Sequence, residues 1–340
     1  TAVWAAPPTI AEALRNVPAS PLPKADDASV PEIENLMSIP DVPADQGDTI
    51  AVSEFRIIGN RAVDGAVLKA LVRPYEGKSL TLKQREAVIG RITRYYRAEG
   101  YPTTSAILPA QDVTNGIVTI QVIEGSYGTF NLKNESLVDD DVVRGVLDRV
   151  KAGGTVSKKN LERGLLIINE TPGAAISQVD MSPGKEAGTT DFAVGVKPTP
   201  RVAGYALRDD HGSVFTGKQR TTAGVEVRSP FGRGDKLSAS GILTDASHIT
   251  NYRLAYSTLL AANGLRGEVA TSKTTYELVG AFAPLDAVGE ANSYEASLSY
   301  PFIRTRAHSL EGTVGVARRD LTDEIRSTNT ITPKRSSFTT

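Results

Sequence analysis

Apolar positions along this chain follow two different periods, and the change falls near residue 200. Within 81–98, Val88, Ile92, Tyr95 and Tyr96 recur at helical spacing and define one stripe to be buried. Gly100 stops that segment and Pro102 prevents its continuation. The next stretch, GYPTTSAILPAQDVTNGIVTIQVIEG at 100–125, predicts an edge strand over 103–111, a turn at Asn115-Gly116 and a second strand over 117–123. An isolated hairpin is marginal in water, so this pair requires partners. Residues 54–60, EFRIIGN, supply one more strand, and the segments between are expected to be helical. The order over 51–126 is strand, helix, helix, strand, strand, a two-layer module with its helical stripe on a three-strand sheet.

Residues 127–199 repeat the pattern. A strand begins at Phe130-Asn131-Leu132, and a helix over 139–150 carries Asp139, Asp140 and Asp141 at its start, where acidic side chains favour the helix dipole. A second helix opens at Ser157 and runs to about Asn169. Pro172-Gly173 turns the chain into strands over 175–182 and 190–197.

After Pro200 helical periodicity gives way to alternation. Tyr294, Ala296, Leu298, Tyr300 and Phe302 share one face, and Ser293, Glu295, Ser297 and Ser299 the other. Tyr252, Leu254 and Tyr256 behave likewise, as do Leu310, Gly312, Val314 and Val316, and Val225 with Val227. An apolar or aromatic face opposite a polar one is the pattern of a transmembrane barrel strand, with the polar side lining a lumen. A soluble antiparallel sandwich also alternates, and periodicity alone does not separate the two. About seven such segments lie between 202 and 325, with 334–340 starting another.

Several of these stretches resemble a known family. IIGN, PYEGKSLT, YYRAEGYPTTSAILPAQD and NGIVTIQVIEG are similar to the first polypeptide-transport-associated (POTRA) domain of two-partner secretion outer-membrane transporters, the haemolysin secretion/activation family of the Omp85 superfamily. GLLIINETPG and SPGKEAGTTDFAVGV resemble its second POTRA domain. RDDHGSVFTGKQRTTAGVEVRSPFGRGDKLSAS resembles its first barrel hairpins, and SYPFIRTRAHSL its mid-barrel strand and turn. The turn Asp209-Asp210-His211-Gly212 departs from the family's usual Asp-Asn there.

The resemblance implies α+β periplasmic POTRA domains followed by an antiparallel transmembrane β-barrel, incomplete in this chain. It divides the sequence into 1–50, a plug helix at about 9–17 with a Pro-rich linker; 51–126, POTRA 1; 127–199, POTRA 2; and 200–340, the first half of a barrel. The strands run out before a barrel of this family closes, so the chain is expected to be an N-terminal fragment. The implied function is outer-membrane translocation of a partner exoprotein, unfolded and recognised through its N-terminal secretion domain. Outer-membrane lipid is the other implied partner. Recognition would use the exposed edge of POTRA 1, where Thr103, Thr104, Ser105, Ala106, Ile107 and Leu108 accept an extended client by β-augmentation, with Tyr95 and Tyr96 in the adjoining groove. Core packing is the competing role for those side chains. Two other functions stay open: a barrel-assembly factor of the same superfamily, and a soluble periplasmic interaction module.

Composition narrows the chemistry. The 340 residues carry 38 Lys and Arg against 39 Asp and Glu, so no basic excess points to nucleic acid. The absence of cysteine excludes disulfide frameworks, thiol catalysis and thiolate zinc sites. Gly212 to Lys218 fits most of a phosphate-binding loop, but Gln219 stands where the Ser or Thr hydroxyl is needed and a strand follows instead of a helix, so no nucleotide is expected. His211, His248 and His308 lack ligand spacing. No catalytic constellation is present, and neither enzyme activity nor a cofactor or metal is expected.

Overall fold

The computed structural model describes residues 47–245 and 248–339. The helix expected at 9–17 lies outside the described residues.

The first module contains β1 (Thr49–Val52), β2 (Glu54–Ile58), α1 (Gly65–Val72), β3 (Lys78–Thr81), α2 (Leu82–Ala98), β4 (Ser105–Ile107) and β5 (Ile117–Ile123). Asp64 caps α1 by accepting from the Ala66 N–H. At the start of α2 the Thr81 hydroxyl accepts from the Gln84 N–H at 3.3 Å, and the Gln84 side-chain Oε1 accepts from the Thr81 N–H at 3.1 Å. This reciprocal pair satisfies two otherwise orphaned donors. Central β5 runs parallel to β2 and antiparallel to β4, and both helices bury their apolar stripes on one face. Phe55, Leu68, Ile92 and Ile120 are fully buried there, each contributing about 1.5–3 kcal/mol. The β1–β3 pair is a second small sheet, which the hydrophobic pattern did not reveal because four residues are too few to show alternation.

The second module repeats this topology with β6 (Ser126–Asn134), α3 (Asp140–Lys151), α4 (Lys158–Asn169), β7 (Ala174–Pro183) and β8 (Thr189–Pro198). Its sheet order is β6-β8-β7, first strand parallel and middle strand antiparallel to the last, as in β2-β5-β4. Tyr127, Phe130 and Phe192 stack within its core.

The remainder is one antiparallel meander: β9 (Val202–Asp209), β10 (Arg220–Arg228), β11 (Lys236–Thr244), β12 (Ile249–Leu259), β13 (Arg266–Glu277), β14 (Ala287–Arg304), β15 (Ser309–Ile325) and β16 (Thr330–Thr339). Every strand pairs with its sequence neighbour, and among the described residues the outer sides of β9 and β16 have no partner strand, so the sheet is open. The registers align Tyr252, Leu254 and Tyr256 with Lys273, Thr271 and Val269, and these with Asn292, Tyr294 and Ala296. On this face Leu254, Val269, Tyr294, Val314 and Val316 are more than half exposed. The opposite face buries Thr222, Glu226, Ala255, Ala270 and Ser293. Crowding of one face by small and polar side chains marks the inside of a curled sheet, and the exposed apolar face is its outside.

Candidate functional site

Three structures bear on function: the edge of the first module, the inner face of the meander, and the joint between meander and second module.

At the edge, β4 is shorter than the sequence predicts, three residues in place of 103–111. Beyond Ile107 the chain leaves β5, and the Gln111 side chain takes over the ladder. Its amide donates to the Thr119 carbonyl at 2.8 Å and accepts from the Thr119 N–H at 2.7 Å, reproducing a backbone partner. Pro109, lacking an N–H, could not have done so. Asn115 and Gly116 do form the expected tight turn, with φ of 56° and 74°. The turn closes a loop over 108–116, however, and does not directly join two strands.

The edge is also partly blocked. The Ala106 N–H donates to the Thr93 hydroxyl of α2 at 2.9 Å, so Ala106 faces away from β5 while Ser105 and Ile107 face toward it. Of the residues expected to meet a client, Ile107 is exposed, and Thr103, Ser105, Ala106, Leu108 and Tyr95 are half-buried. Thr104 and Tyr96 are buried in the core, which removes them from the groove. The Tyr96 hydroxyl donates to Glu124 Oε1 at 2.8 Å. That same oxygen accepts the N–H groups of Arg61 and Ala62 at 2.6 and 2.7 Å, tying the loop after β2 to the end of β5. Burial, reinforced by the Glu124 hydrogen bond and charge, holds the Tyr96 phenol well above its ordinary range. Neither Thr93 nor Glu124 was signalled by pattern, since each acts through a partner distant in sequence.

The inner face of the meander is lined by paired charges. Arg253 bridges Glu295 at 2.7 Å and Glu268 at 3.3 Å, joining three neighbouring strands. Nearer the second module, Glu226 binds Arg228 at 2.6 Å and approaches Lys236. At the far end the 3-10 turn Gly280–Leu285 folds over this face: Phe282 and Leu285 pack against Tyr276, Leu278, Ala287, Ala291 and Leu321. The loop between β9 and β10 is pinned to it. Phe215 stacks edge-on against Phe282, with centroids 5.1 Å apart, and its carbonyl accepts from the Val279 N–H at 2.8 Å. The phosphate-loop lookalike lies in this β9–β10 loop, where the Gly212 N–H closes onto the Lys218 carbonyl at 2.8 Å and a strand follows.

The opposite ends of the strands rest on the second module. Arg163 of α4 donates to the carbonyls of Pro301 at 2.6 Å and Asn263 at 3.1 Å, and its guanidinium lies 5.6 Å from the Tyr300 ring centroid. Arg266 donates to the Glu170 carbonyl and the Thr171 hydroxyl. Arg304 pairs with Glu170, Arg233 with Asp141, and the Arg306 N–H with Glu162. Gly264, at φ 95°, lets the β12–β13 turn approach Ile167; a Cβ there would stand 2.8 Å from Pro301. The acidic start of α3 is thus part of this joint: the Asp139 N–H bonds the Gly232 carbonyl at 2.8 Å.

Comparison with known proteins gives one consistent result. Residues 50–125 match the POTRA domain of ShlB type, and residues 188–339 match the haemolysin secretion/activation protein family ShlB/FhaC/HecB. The heme/hemopexin transporter protein HuxB of Haemophilus influenzae strain 86-028NP is 29% identical over 78% of this chain and 47% of its own length. The outer membrane transporter CdiB of Escherichia coli is 25% identical over 58% of this chain and 33% of its own length. The chain's match with HuxB thus spans about half of that curated relative, 47%. A solved structure of CdiB from Escherichia coli superposes with a TM-score of 0.73 at 19% identity, over 89% of this chain and 57% of the other, which establishes the shared fold of α/β modules followed by a barrel sheet.

Proposed function

We propose, since this chain belongs to the haemolysin secretion/activation protein family of two-partner secretion outer-membrane transporters, that the whole protein passes an unfolded partner exoprotein through its barrel to the cell surface. Residues 51–126 and 127–199 act as the two periplasmic POTRA domains, and 200–340 as the first half of the barrel wall. The observation that carries this reading is the joint. Glu162 and Arg163 of α4 and Glu170 just after it hold the second module against the β12–β13 and β14–β15 ends, and Asp139 and Asp141 hold it against the β10–β11 turn, of a sheet whose inner face is polar and whose outer face is apolar. A client delivered by the modules arrives at the mouth of a polar-lined path.

Client contact falls on the exposed part of the β4 edge and its groove, through Thr103, Ser105, Ala106, Ile107, Leu108 and Tyr95. Thr104 and Tyr96 support it from the core. Because Thr93 holds the outward N–H of Ala106, side-chain contact precedes backbone pairing, and addition of a full strand requires Thr93 to release that donor. The geometry also selects the variant that tests edge pairing. Ile107 turns its N–H toward β5, so a proline there breaks the sheet itself and leaves the free edge untested. Thr93→Val frees the edge without touching the ladder.

The experiment is conductance of the full-length protein in a planar bilayer, with and without residues 1–50. Channels that widen after the deletion support a pore with an N-terminal plug. No conductance from either protein, together with solubility without detergent, overturns the transporter reading and leaves a periplasmic interaction module.

A further inference from the structure

The outer face of the meander carries charges where a lipid-facing surface would ordinarily have none. Lys273 on β13, Arg318 on β15 and Arg335 on β16 all have the outward parity of Tyr252, Tyr294 and Val316. Asp320 lies between the two arginines, at 3.3 Å from Arg318 and 2.5 Å from Arg335, and Lys273 pairs with Glu290 at 3.0 Å. Three cations therefore face two carboxylates, leaving a positive charge in excess. Asp320 holds two guanidiniums side by side without saturating either fork of donors.

Their height fits a membrane boundary. From Leu310, outward near the second module, Arg318 is eight residues along β15, about 26 Å of strand or roughly 20 Å of height at a ~40° tilt. Asp320 and its partners stand two residues higher, near the ~25 Å top of an outer-membrane barrel's apolar band. They lie at the end remote from the modules, hence in the outer leaflet. Directly below is an apolar hollow of about 550 Å³, floored by Gly267 and Ala296 and walled by Tyr256, Val269, Leu298 and Val316. It extends four residues below Arg318, about 13 Å along the strands, close to the ~15 Å depth of one leaflet.

We propose that this face binds one phosphorylated, acylated glucosamine lipid of the outer leaflet, its phosphate between Lys273, Arg318 and Arg335 and one acyl chain in the hollow. Charge complementarity selects the phosphate, and the small floor residues admit the chain. The proposal rests on the membrane-spanning reading of β9–β16. It deepens that reading by giving the lipid contact a defined address.

The test is native mass spectrometry of the detergent-solubilised full-length protein titrated with bisphosphorylated lipid A, with dephosphorylated lipid A and phosphatidylethanolamine as comparators. The wild-type protein should retain one bisphosphorylated molecule. Retention should fall at least tenfold in Arg318→Ala/Arg335→Ala, which removes the phosphate contacts, and in Ala296→Trp, which fills the hollow. Equal retention by either variant, or of the dephosphorylated lipid, overturns the site. Heat-modifiable gel migration reports the barrel independently. A protein that migrates as a barrel yet retains no lipid A sinks this proposal alone, whereas one that stays soluble without detergent sinks the membrane reading beneath it.

Discussion

Replacing Arg163 should uncouple the second module from the barrel sheet without unfolding either. Its guanidinium makes two good hydrogen bonds across the joint, to the Pro301 carbonyl at 2.6 Å, beside the irregularity near the end of β14, and to the Asn263 carbonyl in the β12–β13 turn at 3.1 Å. A hydrogen bond from a charged donor contributes about 1.5–3 kcal/mol. Arg163 is half-buried, so water replaces part of each bond, and a loss of about 3 kcal/mol for Arg163→Ala is the reasonable scale. That is roughly a hundredfold shift in the docking equilibrium. Arg163→Lys should lose most of it too, because an ammonium cannot span two carbonyls with one planar fork while stacking on Tyr300. The assay is a pulsed electron paramagnetic resonance distance between spin labels at exposed Lys185 of the second module and Arg326 at the far end of the sheet, in the full-length protein. One narrow distribution is expected for the wild type and a broad one for Arg163→Ala, with secretion of the partner reduced in parallel. A distribution equally narrow in Arg163→Ala and Arg163→Glu would refute the reasoning, and would mean that the remaining ion pairs and the packing of Ile167 suffice.

Further outcomes follow from single contacts. Thr93→Val should raise client affinity about fivefold if a strand adds at β4, since the freed Ala106 N–H gains a partner worth roughly 1 kcal/mol, and binding titrations with client peptide check it. Phe282→Ala removes a half-buried ring from the far-end cover, about 1 kcal/mol, and single-channel records should show open dwell time rising about fivefold. Glu124→Ala should cost the first module about 1–3 kcal/mol by denaturant titration: the buried Tyr96 hydroxyl is orphaned, while the exposed amides of Arg61 and Ala62 rehydrate. The folded-state pKa of Tyr96 lies above its unfolded value near ~10, so its contribution is complete below about pH 10 and lost as pH rises further. Phenolate absorbance should show one fewer late-ionising tyrosine in Tyr96→Phe than in the wild type.

Much of this architecture could be read along the chain because it is set by short-range pattern. The stripe Val88, Ile92 and Tyr96 is the buried face of α2, Thr81 and Gln84 are spaced as a reciprocal cap, and alternation after Pro200 marks strands whose two faces meet different surroundings. The repeat of strand, helix, helix, strand, strand emerged for the same reason, each element carrying its own period. What stayed hidden has the opposite character. Nothing local distinguishes Arg163 from any other helical arginine, Thr93 from a core threonine, or Gln111 from a loop glutamine. Each is defined by a partner at another place in the sequence: a β14 carbonyl 138 residues away, an edge amide, a gap in a ladder. Tyr95 and Tyr96 make the point most simply, since one residue of offset, about a hundred degrees of helix, puts Tyr96 in the core and leaves Tyr95 half-buried. Periodicity determines that a segment is a helix or a strand and which face is apolar. Which edge remains open, which face curls inward and which charges meet depend on the packing of elements against one another, because those interactions act across space and leave no period in the chain.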